Sequence, residues 1–368
     1  MTESNGFNLI DDPWIMVLDH DGTLHEVSIL GLIEEAPRFA RIVGDIETQA
    51  FAIVRLLLAF LHRAIDGPAD EEEWLALWQA DELPADAVHR YADRVRGRFD
   101  LFHPRTPFFQ VADLRSGSDG VSGLEKIIAD IPNGIPFFTT RSAASVGRIT
   151  AAEAARWLVH VHAFDPAGIK TGAVGDPTVK GGRGYGSTVG WSGQIGGVLP
   201  HGENLRETLV LNLIARSAEA YVQVGCDGDV PPWERDPDGP TWSERPPRGA
   251  IDLYTWQTRR VRLVGDPTGV TGVVLAKGDV IEPRNRHLVD PHTAWRDRNP
   301  RKKHGVVVYM PYTHDPNRAV WRGLNAILPA TASRRAGGRE SERFLAPGVL
   351  QWIADLAEQG YLPDGYRP

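Results

Sequence analysis

Cysteine is nearly absent. Cys226 stands alone among 368 residues, which excludes an internal disulfide, and one thiolate is too few for a zinc ribbon. A reducing cytoplasm is the expected setting. Long apolar runs are also missing: no stretch approaches the roughly 18 residues of a membrane span. The first residues carry Glu3, Asp11 and Asp12 where a signal peptide is basic, so neither export nor a membrane partner is expected. Lysine is scarce, six of the 40 basic residues, so contacts to anions fall mainly to arginine. There is no internal repeat. A composition of 42% hydrophobic and 24% charged residues is that of an ordinary globular chain, which sets aside collagen and coiled coil.

At about 150 residues per domain the length allows one large domain or two modest ones. With 38 glycines and 27 prolines, loops are expected to matter. The net charge of −8 argues weakly against a free-standing nucleic-acid binder, but its distribution is uneven. Residues 1–100 hold 20 acids and 8 bases, whereas residues 281–344 hold 13 bases and 6 acids. That asymmetry suits a subunit with different faces for different partners; solvated acidic helices and a basic loop would produce it equally.

Ile15 to Leu18 and Thr23 to Val27 read as strands joined by a turn over Asp19 to Gly22, because Asp-Gly between short β-prone runs marks a hairpin. Ser28 is placed to cap the segment after the second strand. Phe51, Val54, Leu57, Leu58, Phe60, Leu61 and Ala64 recur at helical spacing, predicting a core-facing helix over 47–65 whose Arg55 argues against a membrane span. Acids at 70–73 precede Trp74, Leu75, Leu77 and Trp78, a short helix with its acids at the favourable end. Thr150 with Glu153 opens a helix to about Ala163, and Asn204 with Glu207 opens another to about Tyr221. Pro166 to Gly202 holds 12 glycines in 37 residues, too many for a segment that is mostly helix or central strand. After a proline-rich loop from Cys226 to Gly249, Ile251 to Ile281 read as several short strands. Residues 282–344 are basic and proline-punctuated, and Val349 to Gln359 form a last helix. The fold class expected is α+β.

Ile15-Met16-Val17-Leu18-Asp19-His20-Asp21-Gly22-Thr23 resembles the first motif of haloacid-dehalogenase-like phosphatases, where a first aspartate attacks phosphate, a second does acid/base work, and magnesium is bound. That chemistry also needs a later lysine and a pair of acids; Asp176 and Lys180 supply no second acid. A tight turn explains the same letters. His160 and His162 lie two apart on a helix and point about 200° from each other, so an ordinary helical role is expected rather than a metal pair. Gly182-Arg183-Gly184-Tyr185-Gly186 lacks the third glycine of a dinucleotide fingerprint and the ending of a phosphate loop, so neither cofactor is supported. A glycine loop does allow close backbone approach to a groove or a phosphate, and Lys170, Lys180, Arg183 and Tyr185 decorate this one. Phe137-Phe138-Thr139-Thr140-Arg141 combines side chains that stack on bases and hold phosphates.

In order and spacing these blocks resemble the CasA family, the large subunit of the type I-E CRISPR surveillance complex, Cascade. The similarity runs over nearly the whole chain: Phe7-Asn8-Leu9-Ile10-Asp11-Asp12-Pro13-Trp14-Ile15, Pro107-Phe108-Phe109-Gln110, Leu124-Glu125-Lys126-Ile127-Ile128, the glycine loop, Gly202 to Asn212, and Pro240-Thr241-Trp242. The resemblance implies a non-enzymatic protein that reads the protospacer-adjacent motif of double-stranded target DNA while the guide RNA reads sequence by pairing. Its implied partners are the other Cascade subunits, the guide RNA, the DNA, and a recruited helicase-nuclease. By position the glycine-loop role falls on Gly181 to Gly190, with Gly182, Arg183, Gly184, Tyr185 and Gly186 as contacts. The Phe-rich loop role falls on Phe138, Thr139, Thr140 and Arg141, with Thr139-Thr140 where many relatives carry Asn-Gln. A DNA-contacting lysine maps to Lys277.

Relatives continue into a strand with a glutamine wedge and a four-helix bundle, whereas this sequence stops at Pro368. One N-terminal-type domain over 1–368 is therefore expected, with weak strand opening. The alternatives are a magnesium-dependent phosphatase using Asp19 and Asp21, and a purely architectural subunit.

Overall fold

The computed structural model describes residues 6–117, 120–131, 142, 145–297, 308–313, 334–336, 339–342 and 344–363. In chain order the opening elements are β1 (Ile15–Asp19), β2 (Leu24–Val27), α1 (Ile29–Glu34), β3 (Phe39–Val43), α2 (Glu47–Ile65), α3 (Glu71–Gln79), α4 (Ala85–Val95) and α5 (Ala151–Phe164). The middle holds β4 (Gly168–Thr171), β5 (Arg183–Ser187), α6 (Leu205–Asn212), α7 (Ala250–Tyr254), β6 (Arg259–Asp266) and β7 (Gly269–Lys277). The last part contributes β8 (Trp295–Asp297), β9 (Tyr309–Pro311), a small β10–β11 hairpin (Arg334–Ala336, Arg339–Glu342), β12 (Phe344–Leu345) and α8 (Gly348–Glu358). Helices and several small sheets mix along the chain, an α+β fold as expected.

The core is organised on α2, whose apolar repeat buries Ile53, Leu57, Leu58, Ala59 and Phe60 completely. Each of the larger side chains contributes about 1.5–3 kcal/mol of transfer free energy. The helix packs against α4, α5 and α7. It is long and apolar enough to cross a membrane, but 72% of that window is buried inside the protein. Arg55, 1% exposed, sits between the Phe51 and Tyr254 rings and meets Asp290 through two 3.0 Å bonds. Trp191 Nε1 and the His292 amide also donate to that carboxylate, so the buried charge is fully hydrogen-bonded. Ser28, Thr150 and Asn204 cap α1, α5 and α6 as the sequence indicates, and Asp70, read only as one of the acids at the start of α3, caps that helix too, each accepting from first-turn amides.

The four-stranded sheet has the order β5-β4-β7-β6. Along β7, Val273 and Leu275 join the main core, while Val274 and Ala276 pack with Val111, Leu114 and Ala173. Both faces are buried, and the period-2 alternation divides the strand between them. Two expectations are corrected. The helix from Asn204 ends at Asn212, because the chain then turns so that the Arg216 and Ser217 amides bond the Pro68 and Ala69 carbonyls. Ile251 to Ile281 is the end of a short helix and one long hairpin rather than several short strands. As expected, the glycine-rich segment is mostly neither helix nor central strand: it supplies one four-residue inner strand, β4, paired through Gly168, Lys170 and Thr171, and the edge strand β5.

Candidate nucleic-acid interface

Within the glycine-rich segment β4 and β5 pair as a hairpin, and the residues connecting them, 172–182, end in a tight turn whose tip is Gly181-Gly182. Lys180 and Arg183 exchange both backbone hydrogen bonds across Gly181 and Gly182, whose φ values are +55° and +72°. Positive φ at both central residues is the two-residue turn whose twist matches paired strands, and glycine adopts it at little steric cost. Two cations therefore flank the tip, and β5 follows as the edge of the sheet. Arg183, Tyr185 and Gly186 are exposed, Tyr185 at 47%, and neither the Arg183 nor the Lys180 side chain has a hydrogen-bond or ion-pair partner among the described residues.

The base of the hairpin is held by Arg259, 1% exposed at the start of β6. Its guanidinium donates to the carbonyls of Pro166 (3.1 Å) and Thr188 (2.7 Å), which lie just before β4 and just after β5, and its Nε donates to the Asp165 carboxylate. Asp165 also pairs with Lys170. Burial pushes the Lys170 ammonium down from its ordinary value, while Asp165 opposes that shift. Lys170 is thus committed inside the protein, a correction to its reading as a decoration of the loop.

Lys277, the last residue of β7, is opposite Arg259 in the sheet register and only 6% exposed. Its ammonium donates to the Tyr185 carbonyl at 3.1 Å and lies 3.2 Å from the centre of the Trp242 ring. A β-carbon at Gly184 would meet Lys277 Cβ at 3.4 Å, and one at Gly186 would meet Nζ at 3.5 Å. Burial pushes the Lys277 ammonium down, with the Asp176 and Glu244 carboxylates pulling it back. The structure therefore brings Lys277, Gly182, Arg183, Gly184, Tyr185 and Gly186 to one edge. Phe138, Thr139, Thr140 and Arg141 lie outside the described residues.

The phosphatase reading fails at the geometry. Asp19 ends β1 and Asp21 lies in the turn to antiparallel β2; Asp19 accepts from the Thr23 amide and meets His25 at 2.7 Å, while Asp21 binds Thr23. Both are turn residues, and among the described residues no group of three or more His, Cys, Asp or Glu is arranged to hold a metal. His160 and His162 bond Thr48 and the Phe109 carbonyl separately. Trp242 and Thr178 are the neighbours that sequence reasoning did not assign to the site; the signals for them were the Pro240-Thr241-Trp242 block and the Asp-Pro-Thr turn at 176–178.

The family model of the CRISPR-associated protein Cse1 matches residues 8–364. The chain belongs to the Cse1 family. A CasA/Cse1 protein of Thermus thermophilus is 33% identical over 365 residues, which are 96% of this chain and 65% of that protein. This Cse1-family chain thus spans about two thirds of the length of that curated relative. The solved Cse1 of Thermobifida fusca superposes with a TM-score of 0.89 at 46% identity, over 99% of this chain and 69% of that one. A chain of a CRISPR RNA-guided surveillance complex shares the fold at a TM-score of 0.74 and 19% identity, over 98% of this chain and 70% of that one.

Proposed function

We propose that this chain is the large subunit of an RNA-guided CRISPR surveillance complex of the type I-E kind and that it reads the protospacer-adjacent motif of double-stranded DNA. The observation that carries the reading is the convergence of the glycine strand β5 and the Lys277 ammonium on one sheet edge, with Arg183 and Tyr185 exposed beside them. Exposed Gly186 carries no side chain to keep the edge of β5 from a groove about 6 Å wide, which basic side chains such as those of Lys277 and Arg183 can enter. The minor groove distinguishes A·T from G·C and little more, so several adjacent motifs are tolerated. The net charge of −8 fits a subunit that shares DNA affinity with RNA-bearing partners. Family membership and the likeness of fold to a chain of a surveillance complex support the same assignment. Its partners are the other subunits, the guide RNA, the target DNA and a helicase-nuclease that docks on it; it performs no catalysis itself.

The test is binding of duplexes with and without a functional motif by guide-loaded complex reconstituted with and without this chain, at stated salt. Discrimination that requires the chain and is lost in Gly184→Asp and Lys277→Ala upholds the proposal. Assembly of the chain without any effect on discrimination makes it an architectural subunit.

A further inference from the structure

Trp242 belongs to a proline-rich loop, yet it is fixed on every side. The Thr241 carbonyl before it accepts from Arg260 Nε at 2.9 Å, and the Ser243 amide after it donates to Asp279 Oδ1 at 2.9 Å. Arg260 and Asp279 are paired at 2.7 Å beside the end of the β6–β7 hairpin. The indole N–H donates to Thr178 Oγ1 at 2.8 Å, and Thr178 in turn donates to Asp176 Oδ1 through both its hydroxyl (2.8 Å) and its amide (2.9 Å). Asp176 and Thr178 lie in the hairpin between β4 and β5, so one ring links the proline-rich loop to the hairpin. Pro240 closes the same junction: a β-carbon at Gly175 would come within 3.1 Å of its ring.

The ring face so fixed is the surface beneath the Lys277 ammonium. A four-carbon side chain at a strand end samples many rotamers, and a cation held 3.2 Å from an indole centroid is attracted by the ring quadrupole most strongly where water is excluded. The Tyr185 carbonyl takes one of its three N–H donors, leaving capacity for an outside acceptor. We infer that Trp242 is a positioning residue that holds the Lys277 ammonium against β5 and so sets its ability to read the DNA motif. This rests on the reading of Lys277 proposed above.

The experiment has one readout independent of DNA. With six lysines in the chain, reductive methylation with 13C gives a sparse methyl spectrum in which Lys277 is identified by its loss in Lys277→Arg. The expected result is a strong upfield ring-current shift for Lys277, lost in Trp242→Leu and retained in Trp242→Phe, with the signals of the other five lysines and of the N-terminal amine unmoved. In the reconstituted complex, Trp242→Leu reduces motif discrimination about tenfold and Trp242→Phe restores most of it. An unshifted Lys277 signal in the unsubstituted chain overturns the inference, as does normal discrimination by Trp242→Leu when Lys277→Ala has lost it. Normal discrimination by Lys277→Ala is a separate pattern: it removes the functional reading of Lys277 and this inference with it, while the ring shift still reports the contact.

Discussion

Arg259 shows how one side chain sets the shape of a whole site. Its guanidinium reaches carbonyls on both sides of the β4–β5 hairpin, and its charge is met by Asp165 in a region that excludes water. Arg259→Ala leaves Asp165 with Lys170 alone and removes the tie between the two strand ends. The expected cost is about 1–3 kcal/mol, that of leaving buried acceptors such as the Pro166 and Thr188 carbonyls without a donor, since Lys170 still neutralises Asp165. Denaturant unfolding measures it, and a loss below about 1 kcal/mol would mean that the network is not holding the hairpin. Gly186 makes the opposite kind of demand. At φ +73° a β-carbon is strained, and at 3.5 Å from Lys277 Nζ it would touch the ammonium at ordinary van der Waals distance. Gly186→Ala is expected to cost about 1–2 kcal/mol locally and to weaken motif discrimination in the reconstituted complex. Equal discrimination by this variant would exclude β5 from the contact.

At the scale of elements, the hairpin tip places Lys180 and Arg183 on either side of a Gly-Gly turn, with neither side chain paired among the described residues. If both neutralise phosphates, the double variant Lys180→Ala/Arg183→Ala weakens binding to motif and non-motif duplexes alike. It also lowers the slope of log affinity against log salt by about 1.8, from 0.9 per phosphate. An unchanged slope would place the tip away from DNA. The same hairpin explains what was legible in the sequence. Gly181-Gly182 between Lys180 and Arg183 is a turn signal, but the surrounding glycines blurred it into a loop. The α2 boundaries could be read because seven apolar residues at helical spacing leave no competing period. The end of α6 could not, because it is set by amides at 216 and 217 bonding to the remote carbonyls of Pro68 and Ala69. The Lys277–Trp242 contact was illegible for the same reason: 35 residues separate its partners, and only the folded β6–β7 hairpin and the loop before it bring them together.

For the whole molecule, charge is arranged so that acid undoes the fold. His62, His160, His162 and His292 are buried, and burial holds their imidazoles well below the ordinary value of 6.5, at about 4, 4, 3 and 3. Each is neutral in the native state and hydrogen-bonded through one ring nitrogen, to the Gly67 carbonyl, Thr48, the Phe109 carbonyl and Asn212. A depressed native pKa means that the unfolded chain binds protons first as pH falls. The stabilisation from these groups is complete above about pH 6.5 and is lost as pH drops toward 4. At pH 5 each of the four is destabilising, and all act in the same direction. Asp229 works in the other direction: burial raises its carboxyl to about 6, so it favours the native state on acidification, by about 1 kcal/mol at pH 5. One group against four leaves acid destabilisation dominant. Urea midpoints are therefore expected to stay level from pH 8 to 7 and to fall steeply between pH 6.5 and 4.5. The fall should be shallower in His162→Gln, which keeps a donor for the Phe109 carbonyl but cannot titrate. A level midpoint down to pH 5 would show that the native state binds protons at these imidazoles as readily as the unfolded chain, so that burial does not depress them.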